Sequence, residues 1–347
     1  MAASEGPSKP LLIHGAPGSP YTRKLLALLR YRRIPHGTVW TGVDGAPADL
    51  PKPKVALLPT VYRRDTEGRW RAEVDTTPIA RRLEAAHSAR RAEPEDPTAR
   101  LLNALIEDFA DEWVTKAMFH YRWAHAADAA HAAPLLVHWA APSLASAEAT
   151  ALADSLKRRQ IERLYVVGSN AVTAETIEAS YLRLLTILDR LIEQRAFLFG
   201  DRPATADFAL YGQLTQLVTV DPTPSRLAAE RAPRVRAWLD RVDDLSGLGS
   251  QLAWDPPEVA AGRLRPLLAE IGRVYAPFLI ANAAAVEADA DAMRTQIDGR
   301  PWEQPPFPYQ AKCLNVLRED FRAAPAAARE RILALLEGSG CAALFLP

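Results

Sequence analysis

The sequence predicts a small α/β domain followed by a long, entirely helical domain. Strand, helix and hairpin patterns alternate over the first 90 residues, whereas from about residue 98 onward the apolar residues recur with helical spacing. Between these parts lies the segment SARRAEPEDPT, residues 88–98, whose polar, charged and Pro-containing composition is typical of a linker. We therefore expect one domain at residues 1–90 and a second at residues 98–347.

The first part opens with a short buried strand from Leu11, a Gly- and Pro-containing loop, and a helix that begins at Ser19 and Pro20. Serine is a good helix cap, and proline is tolerated at the first helical position. This arrangement brings the Ser19 hydroxyl and several unpaired backbone N–H groups to the C-terminal end of a strand. Such a place suits an anion, and a thiolate is an anion.

The next elements follow in a regular order. A second strand is expected at Gly37–Thr41 and a third in the segment from Ala56 to Tyr62. The turn Asp65–Gly68 predicts a hairpin whose partner strand is Arg69–Glu73. A second helix is expected to start at Asp75, where a carboxylate and two hydroxyls precede a proline.

Helical patterns account for the rest of the chain, apart from a polar, Pro-rich break at residues 298–308. They cover residues 100–127, 173–194, 208–220, 235–242, 258–290, 309–321 and 326–336.

Composition excludes several classes of function. The 42 basic and 42 acidic residues leave no net charge, which argues against nucleic acid or an acidic membrane surface as the main partner. No apolar run is expected to approach the length of a membrane span, and residues 1–10 lack a signal-peptide core. We expect a cytoplasmic protein that uses Cys313 and Cys341 for packing, with no disulfide framework.

Four histidines, His120, His125, His131 and His138, raise the question of a metal site. Their spacings of five, six and seven residues do not match the i, i+4 pairing of a helical zinc site. No cysteine accompanies them, so we expect no metal.

Three motifs in this order resemble the glutathione S-transferase family. Gly18–Lys24 (GSPYTRK) is similar to the first-helix motif of its bacterial serine- and cysteine-type members. Leu58-Pro59-Thr60 is similar to the family's cis-proline segment, and Asp75-Thr76 falls where the family has Glu-Ser or Asp-Ser. The run Phe197–Pro203, followed by Asp207 and Phe208, resembles the capping segment of the family's helical domain.

The resemblance implies a thioredoxin-like N-terminal domain, a helical C-terminal domain of the family's type, and glutathione as co-substrate. Ser19 would donate a hydrogen bond to the glutathione sulfur and stabilise the thiolate. The backbone of Leu58, freed by a cis bond at Pro59, would pair with the tripeptide as an added strand does. Thr76 would bind the γ-glutamyl carboxylate and Asp75 the ammonium group.

A second informative stretch, residues 108–123, places Trp113, Lys116 and His120 along one helical face. In the resembled family this helix contributes to the co-substrate pocket, for which Tyr21 is a further candidate. An aromatic face with Lys and His would suit a flat apolar electrophile that has a polar handle. Packing between domains, with buried Trp anchors and paired charges, is the alternative role for these residues.

Two departures from the family pattern are visible. The family's capping serine falls at Ala204, so the helix there is expected to use Thr205, to use Asp201 upstream, or to remain uncapped. The helical part is also much longer than the usual family domain, which would cover or reshape the co-substrate site.

The resemblance favours transfer of glutathione to an electrophilic small molecule by a homodimeric enzyme. Two alternatives remain at this stage. One is a non-catalytic protein that keeps the domain pair for ligand binding or assembly. The other is glutathione-dependent ether or halide cleavage, which shares the thiol site. A serine where some relatives have cysteine argues against glutathione-disulfide exchange.

Overall fold

A computed structural model describes residues 10–42, 45–249 and 251–346. Residues 1–9, within the stretch for which no signal-peptide core is expected, lie outside the described residues. The N-terminal part is a four-stranded sheet with two helices, and its order matches the sequence prediction. Its elements are β1 (Leu11–Gly15), α1 (Pro20–Arg32), β2 (His36–Trp40), β3 (Thr60–Arg64), β4 (Trp70–Glu73) and α2 (Thr76–Ala86).

The strands are arranged in the order β2-β1-β3-β4. β1 runs parallel to β2 and antiparallel to β3, and β3 forms the predicted hairpin with β4. This topology places the C-terminal end of β1 and the beginning of β3 at the same edge of the sheet. The loop before α1 and the loop before β3 are therefore neighbours.

The helical part contains twelve further helices between Pro97 and Leu335 among the described residues. They are α3 (Pro97–Phe109), α4 (Thr115–Ala124), α5 (Ala126–Ala140), α6 (Ser146–Ile161), α7 (Ala174–Gln194), α8 (Thr205–Thr219), α9 (Pro222–Arg231), α10 (Pro233–Val242), α11 (Pro257–Glu270), α12 (Ala276–Glu287), α13 (Pro308–Ala323) and α14 (Ala326–Leu335).

Two wide π-helical turns join consecutive helices without a break. The turn Ala110–Val114 joins α3 to α4, and the turn Ile271–Tyr275 joins α11 to α12. Short 3₁₀ turns lie at Leu164–Val167 and Cys341–Leu344. Such π turns are frequent at functional sites and change the direction in which the following side chains point.

A short β-hairpin interrupts the helical part where the sequence analysis expected only a polar break. β5 (Met293–Ile297) and β6 (Arg300–Gln304) pair antiparallel around the turn at Asp298 and Gly299. Two features of the segment explain why it is a hairpin. Ile297 and Trp302 are buried, and Gly299 takes the left-handed conformation that a two-residue turn requires.

Helix α1 connects the two parts because both of its long faces are apolar. Leu25, Leu26 and Leu29 pack on the sheet, whereas Leu28 and Tyr31 belong to the core of the helical part. Gly212 on α8 allows the close approach of these two helices. A Cβ atom at Gly212 would lie 2.5 Å from the carbonyl oxygen of Pro20.

The start of α8 has no N-cap side chain at Ala204, and Asp207 of the predicted capping segment binds the backbone that precedes the helix. The Asp207 carboxylate accepts a hydrogen bond from the backbone N–H of Ala204 at 2.8 Å and another from Leu198 at 2.9 Å. The Ala206 N–H, which a capping serine could satisfy, donates instead to the side-chain oxygen of Asn103 at 3.0 Å. The Thr205 hydroxyl donates to Glu107.

One continuous helical run, Pro257–Glu287, has the length and the mean hydropathy, 1.2, of a membrane span. It falls within the helical pattern predicted at residues 258–290, where no membrane span is expected from the sequence. Within the described residues, 56% of its apolar window is buried against the rest of the protein, which is usual for a core helix.

Candidate functional site

Ser19 lies at the junction that the sequence predicted, at the end of the β1–α1 loop. Its backbone is extended, and its Oγ accepts a hydrogen bond from the Thr22 N–H at 3.2 Å, which makes it the cap of α1. The same hydroxyl donates to the carbonyl oxygen of Leu58 at 3.2 Å. The start of α1 and the loop before β3 are thus joined by the Ser19 side chain.

The Leu58–Pro59 bond is cis, as the sequence analysis expected. Pro59 is buried and Leu58 is half-buried. The backbone N–H of Leu58 has no hydrogen-bond partner within the described part of the chain. The Leu58 N–H is therefore free to donate to a ligand, and its carbonyl accepts only from the Ser19 hydroxyl among the described residues. A peptide ligand can pair with such a backbone edge as an added strand does.

Asp75 caps α2 in an unusual backbone conformation, with φ at 77°. Its Oδ1 accepts from the Thr77 N–H at 3.3 Å, and its Oδ2 accepts from the hydroxyl of Tyr309 at 2.7 Å. Thr76, the first residue of α2, is buried beside it. A non-glycine residue held at positive φ costs free energy, so the surrounding structure must stabilise this conformation.

A buried charge network lies beneath the starts of both helices. The ammonium group of Lys24 on α1 lies 2.7 Å from Glu107 and 2.5 Å from Asp111, and all three side chains are largely buried. The Thr77 hydroxyl donates to Glu107 at 3.1 Å. The network therefore ties α1 and the first turn of α2 to α3 and to the π turn that follows it.

The pKa values within this network follow from burial and from its single cation. Burial opposes the charged form of Lys24, but Asp111 and Glu107 hold the pKa of its ammonium group above the usual range. Burial raises the pKa of Asp111 to about 6 in spite of Lys24. Burial acts in the same direction on Glu107, yet Lys24 lowers the pKa of that carboxyl.

Tyr21, one of the candidates for a co-substrate pocket, donates its hydroxyl to the carbonyl of Asp111 at 2.8 Å. This bond ties α1 to the π turn that follows α3. Burial, together with the charges of Glu112 and Asp111, raises the pKa of the Tyr21 phenol well above its usual range.

Trp113 and Lys116 lie together, but later segments of the chain cover them. The Trp113 ring packs against Phe278 on α12 and Trp302 on β6, with centroid distances of 5.6 and 5.3 Å. The Lys116 ammonium lies 4.0 Å from the centre of the Phe278 ring and has no exposed surface. Burial lowers the pKa of Lys116 to about 7, although Glu112 opposes the shift.

His120 lies in a different environment from Trp113 and Lys116. Its Nδ1 is 2.8 Å from the Ser169 hydroxyl, and its Nε2 is 3.2 Å from Glu178 on α7. The four candidate pocket residues are thus divided among three environments, whereas Ser19 and Leu58 are in direct contact.

Two features of the site were not foreseen. Tyr309 follows a Pro-rich segment far along the chain, and no local pattern connects it with Asp75. Lys24 did leave a signal, because it stands among the apolar residues Leu25, Leu26 and Leu28 of α1. A charged residue in such a position requires buried partners.

Two family models match the chain. One, described as the glutathione S-transferase N-terminal domain, matches residues 13–91, and the other, described as the glutathione S-transferase C-terminal domain, matches residues 153–241. No curated protein matches. The hairpin of β5 and β6 and helices α11–α14 lie beyond the second matched range.

Solved structures with a similar arrangement come from several bacteria. A GST-like protein from Pseudomonas syringae is 19% identical, with a TM-score of 0.40 and 73% of each chain covered. A glutathione transferase family member from Pseudomonas fluorescens, with two glutathione bound, is 14% identical, with a TM-score of 0.42 and coverage of 69% of this chain and 90% of that one. A glutathione transferase from Burkholderia graminis, also with two glutathione molecules per subunit, is 16% identical, with a TM-score of 0.41 and coverage of 69% and 85%.

Proposed function

Since the chain combines the N-terminal and C-terminal domains of the glutathione S-transferase family, we propose that it binds glutathione and transfers it to an electrophilic small molecule. The observation that carries this proposal is the meeting of the Ser19 hydroxyl with the Leu58 backbone, beside an unpaired Leu58 N–H. The Ser19 hydroxyl would donate to the sulfur of a bound cysteinyl group, and the Leu58 peptide would hydrogen-bond the backbone of that group.

Ser19 would act on the thiol electrostatically. A free thiol titrates near 8.5, so most of it is protonated at neutral pH, and only the thiolate is a good nucleophile. A hydroxyl donor and the positive end of α1 both favour the thiolate and lower the pKa of the bound thiol. Ser19 would turn its proton from the Leu58 carbonyl to the sulfur when glutathione binds.

Leu58 would hold the cysteinyl residue of the tripeptide. Its carbonyl, released by Ser19, would accept from the cysteinyl N–H, and its own N–H would donate to the cysteinyl carbonyl. Asp75 would bind the ammonium group, and Thr76 would bind the γ-glutamyl carboxylate through its hydroxyl and the N–H groups that open α2. The thiolate would then form a carbon–sulfur bond as the leaving group departs with its electron pair.

Other aspects of the proposal concern the whole protein. We place it in the cytoplasm as a homodimer, with residues 1–90 as the glutathione-binding domain and residues 98–347 as the helical domain. Tyr21, Trp113, Lys116 and His120 would reach a co-substrate only after the segments that cover them move.

A second candidate function is non-catalytic binding of a ligand. It is favoured by the hydrogen bond of Tyr309 to Asp75 and by the burial of Trp113 and Lys116 beneath Phe278 and Trp302. A protein of this kind would retain the domain pair while the C-terminal segments occupy part of the ligand site.

Calorimetric titration of glutathione into the full-length protein and its variants tests the proposal. We expect Asp75→Ala to weaken binding at least tenfold, because the ammonium group loses its counter-charge. We expect Ser19→Ala to change affinity less but to raise the pKa of the bound thiol, followed by thiolate absorbance. Ser146→Ala, an exposed serine at the start of α6, is the matched control and should change neither quantity.

The outcomes separate the two candidates. Binding with a lowered thiol pKa that depends on Ser19 supports the transferase, and conjugation of electrophiles should then be lost in Ser19→Ala. Absence of binding at millimolar glutathione would overturn the transferase and leave the second candidate.

A further inference from the structure

Three side chains with metal-binding atoms meet on one side of the helical part. They are His120 on α4, His125 between α4 and α5, and Glu178 on α7. The Nε2 atoms of both imidazoles face the same oxygen, Glu178 Oε1, at 3.2 Å for His120 and 3.1 Å for His125. No two of the three ligand atoms are more than 4.8 Å apart.

These separations are close to those of a metal centre. Two ligands on one tetrahedral zinc ion, with bonds of about 2.0–2.1 Å, lie roughly 3.3 Å from each other. The distances from the two Nε2 atoms to Glu178 Oε1, 3.2 and 3.1 Å, are close to this value. The remaining separation, between the ligand nitrogens of His120 and His125, is at most 4.8 Å, and the His125 side chain, which is 35% exposed, is the one that an arriving ion would draw inward.

The five-residue spacing of the two histidines does not exclude a metal here. In a continuous helix, residues i and i+5 point in different directions and could not share an ion. His125, however, has left the helix, with φ at −93° and ψ at 123°. The turn between α4 and α5 brings its ring back to within 5.4 Å of the His120 ring, measured between centroids.

Both imidazoles are held in place by groups outside the cluster. The Nδ1 of His120 lies 2.8 Å from the Ser169 hydroxyl, which leaves Nε2 to face Glu178. The ring of Tyr121 stacks on His125, with centroids 5.3 Å apart and planes 13° from parallel. A hydrogen bond to the second ring nitrogen is what orients most metal-binding histidines.

We propose that His120, His125 and Glu178 form a binding site for a divalent metal ion of the zinc class. The ligands are the two Nε2 atoms and a carboxylate oxygen of Glu178. Two imidazoles and one carboxylate are a donor set that zinc uses when it keeps a fourth position open. Imidazole ligands also suit copper and nickel, so Zn²⁺, Cu²⁺ and Ni²⁺ would share the site.

Exposure gives the ion a route to the site and gives the bound ion contact with water. The His120 side chain is almost fully buried, whereas those of His125 and Glu178 are 35% and 38% exposed. The ion would enter from the exposed side and be anchored by His120. It would clamp the junction of α4 and α5 to α7, and a water molecule would complete its coordination. This site does not depend on glutathione binding.

Calorimetric titration of Zn²⁺ into the full-length, untagged protein, stripped beforehand with a chelator, tests the proposal. We expect one ion per chain, bound with micromolar affinity or better. His125→Ala and Glu178→Gln should each weaken binding at least tenfold, because each removes one of three ligands. Ser169→Ala should weaken it less, since it removes only the group that orients His120. His131→Ala on α5 is the matched control and should bind like the parent protein.

Two further measurements identify which side chains hold the ion. The visible spectrum after loading with Co²⁺ reports nitrogen and oxygen ligands in a site of low coordination number, and it should be lost in His125→Ala. Cys313→Ser should leave Zn²⁺ binding unchanged, which excludes capture by that thiol. If the parent protein binds no Zn²⁺, or if His125→Ala and Glu178→Gln bind as it does, the three residues form a hydrogen-bonded cluster only and the proposal is wrong.

Discussion

The hydroxyl of Tyr309 donates a 2.7 Å hydrogen bond to the carboxylate of Asp75, although 234 positions separate the two residues. Tyr309 is the second residue of α13 and is 39% exposed. The C-terminal part of the chain thus contacts the carboxylate that we assign to the ammonium group of glutathione. A ligand that uses this carboxylate must share it with the phenol or displace it.

The first prediction concerns this contact. Tyr309→Phe should tighten glutathione binding severalfold, because the ligand no longer competes with the hydroxyl for Asp75. Calorimetric titration measures the change. Tyr165→Phe removes an exposed phenol elsewhere and should leave the affinity unchanged. Weaker binding in Tyr309→Phe would mean that the phenol forms part of the ligand site.

The second prediction concerns the buried network below the site. Lys24→Met leaves Glu107 and Asp111 buried without their cation, and we expect it to lower the free energy of unfolding by about 3–5 kcal/mol. Urea unfolding followed by circular dichroism measures the loss. Arg226→Met breaks an exposed pair with Glu230 on α9 and should cost less than about 1 kcal/mol. Equal losses in the two variants would contradict the assigned role of Lys24.

The third prediction concerns the pH dependence of stability. Burial, with added repulsion from Asp108 and Asp111, raises the pKa of Glu112 to about 8 from an ordinary value of 4.5. Between pH 5 and 7 the folded protein therefore keeps a proton that the unfolded chain releases. The stability contributed by this group falls as pH rises, by up to about 1.4 kcal/mol per pH unit.

Glu112→Gln should flatten this decline, because the amide carries no titrating proton, while Gln310 can still donate to its oxygen. Urea unfolding at several values from pH 5 to 7 measures the slope. The pH range ends at 7 because burial lowers the pKa of Lys116 to about 7. Above that pH the folded protein has lost a proton that the unfolded chain keeps, so the free energy of unfolding rises with pH. Glu330→Gln, an exposed carboxylate on α14, should leave the slope unchanged, and a parental slope in Glu112→Gln would refute the assignment.

The fourth prediction concerns the close packing of α1 on α8. In Gly212→Ala the new methyl group would lie 2.5 Å from the Pro20 carbonyl oxygen, so the start of α1 must move. We expect a loss of about 1–3 kcal/mol in stability and weaker glutathione binding, since Pro20 directly follows Ser19. Gly262→Ala on α11 meets no atom within 4 Å and should be neutral or stabilising by up to about 1 kcal/mol. If both variants behave alike in urea unfolding and calorimetry, helix propensity alone explains Gly212.

The N-terminal part was predictable because short-range rules determine it. Ser19 followed by Pro20, the turn at Asp65–Gly68 and the helix start at Asp75 each have a local signature, and the structure has the corresponding elements. The hairpin of β5 and β6 was missed because its turn, at Asp298 and Gly299, lies in a segment rich in polar residues and proline.

The partners of Asp75 and the cover over Trp113 could not be derived from the sequence, because they depend on contacts between distant parts of the chain. Nothing near Tyr309 indicates Asp75, and nothing near Trp113 indicates that Phe278 and Trp302 cover it. The histidines show a different limit. The spacing rule applies only where the helix continues, but α4 ends before His125, so two residues that a helix would separate come together.

Helices α3 and α4 form one long helix through the π turn at Ala110–Val114. The extra residue in this turn sets the direction in which the side chains of α4 point relative to those of α3. Before and within it, Glu107 and Asp111 face Lys24; beyond it, Lys116 and His120 face later segments of the chain. Each residue of an α-helix advances the direction of the side chain by about 100°. Loss of one residue from this turn would therefore swing Lys116 and His120 out of alignment with Phe278 and Glu178, with no change in composition on either side.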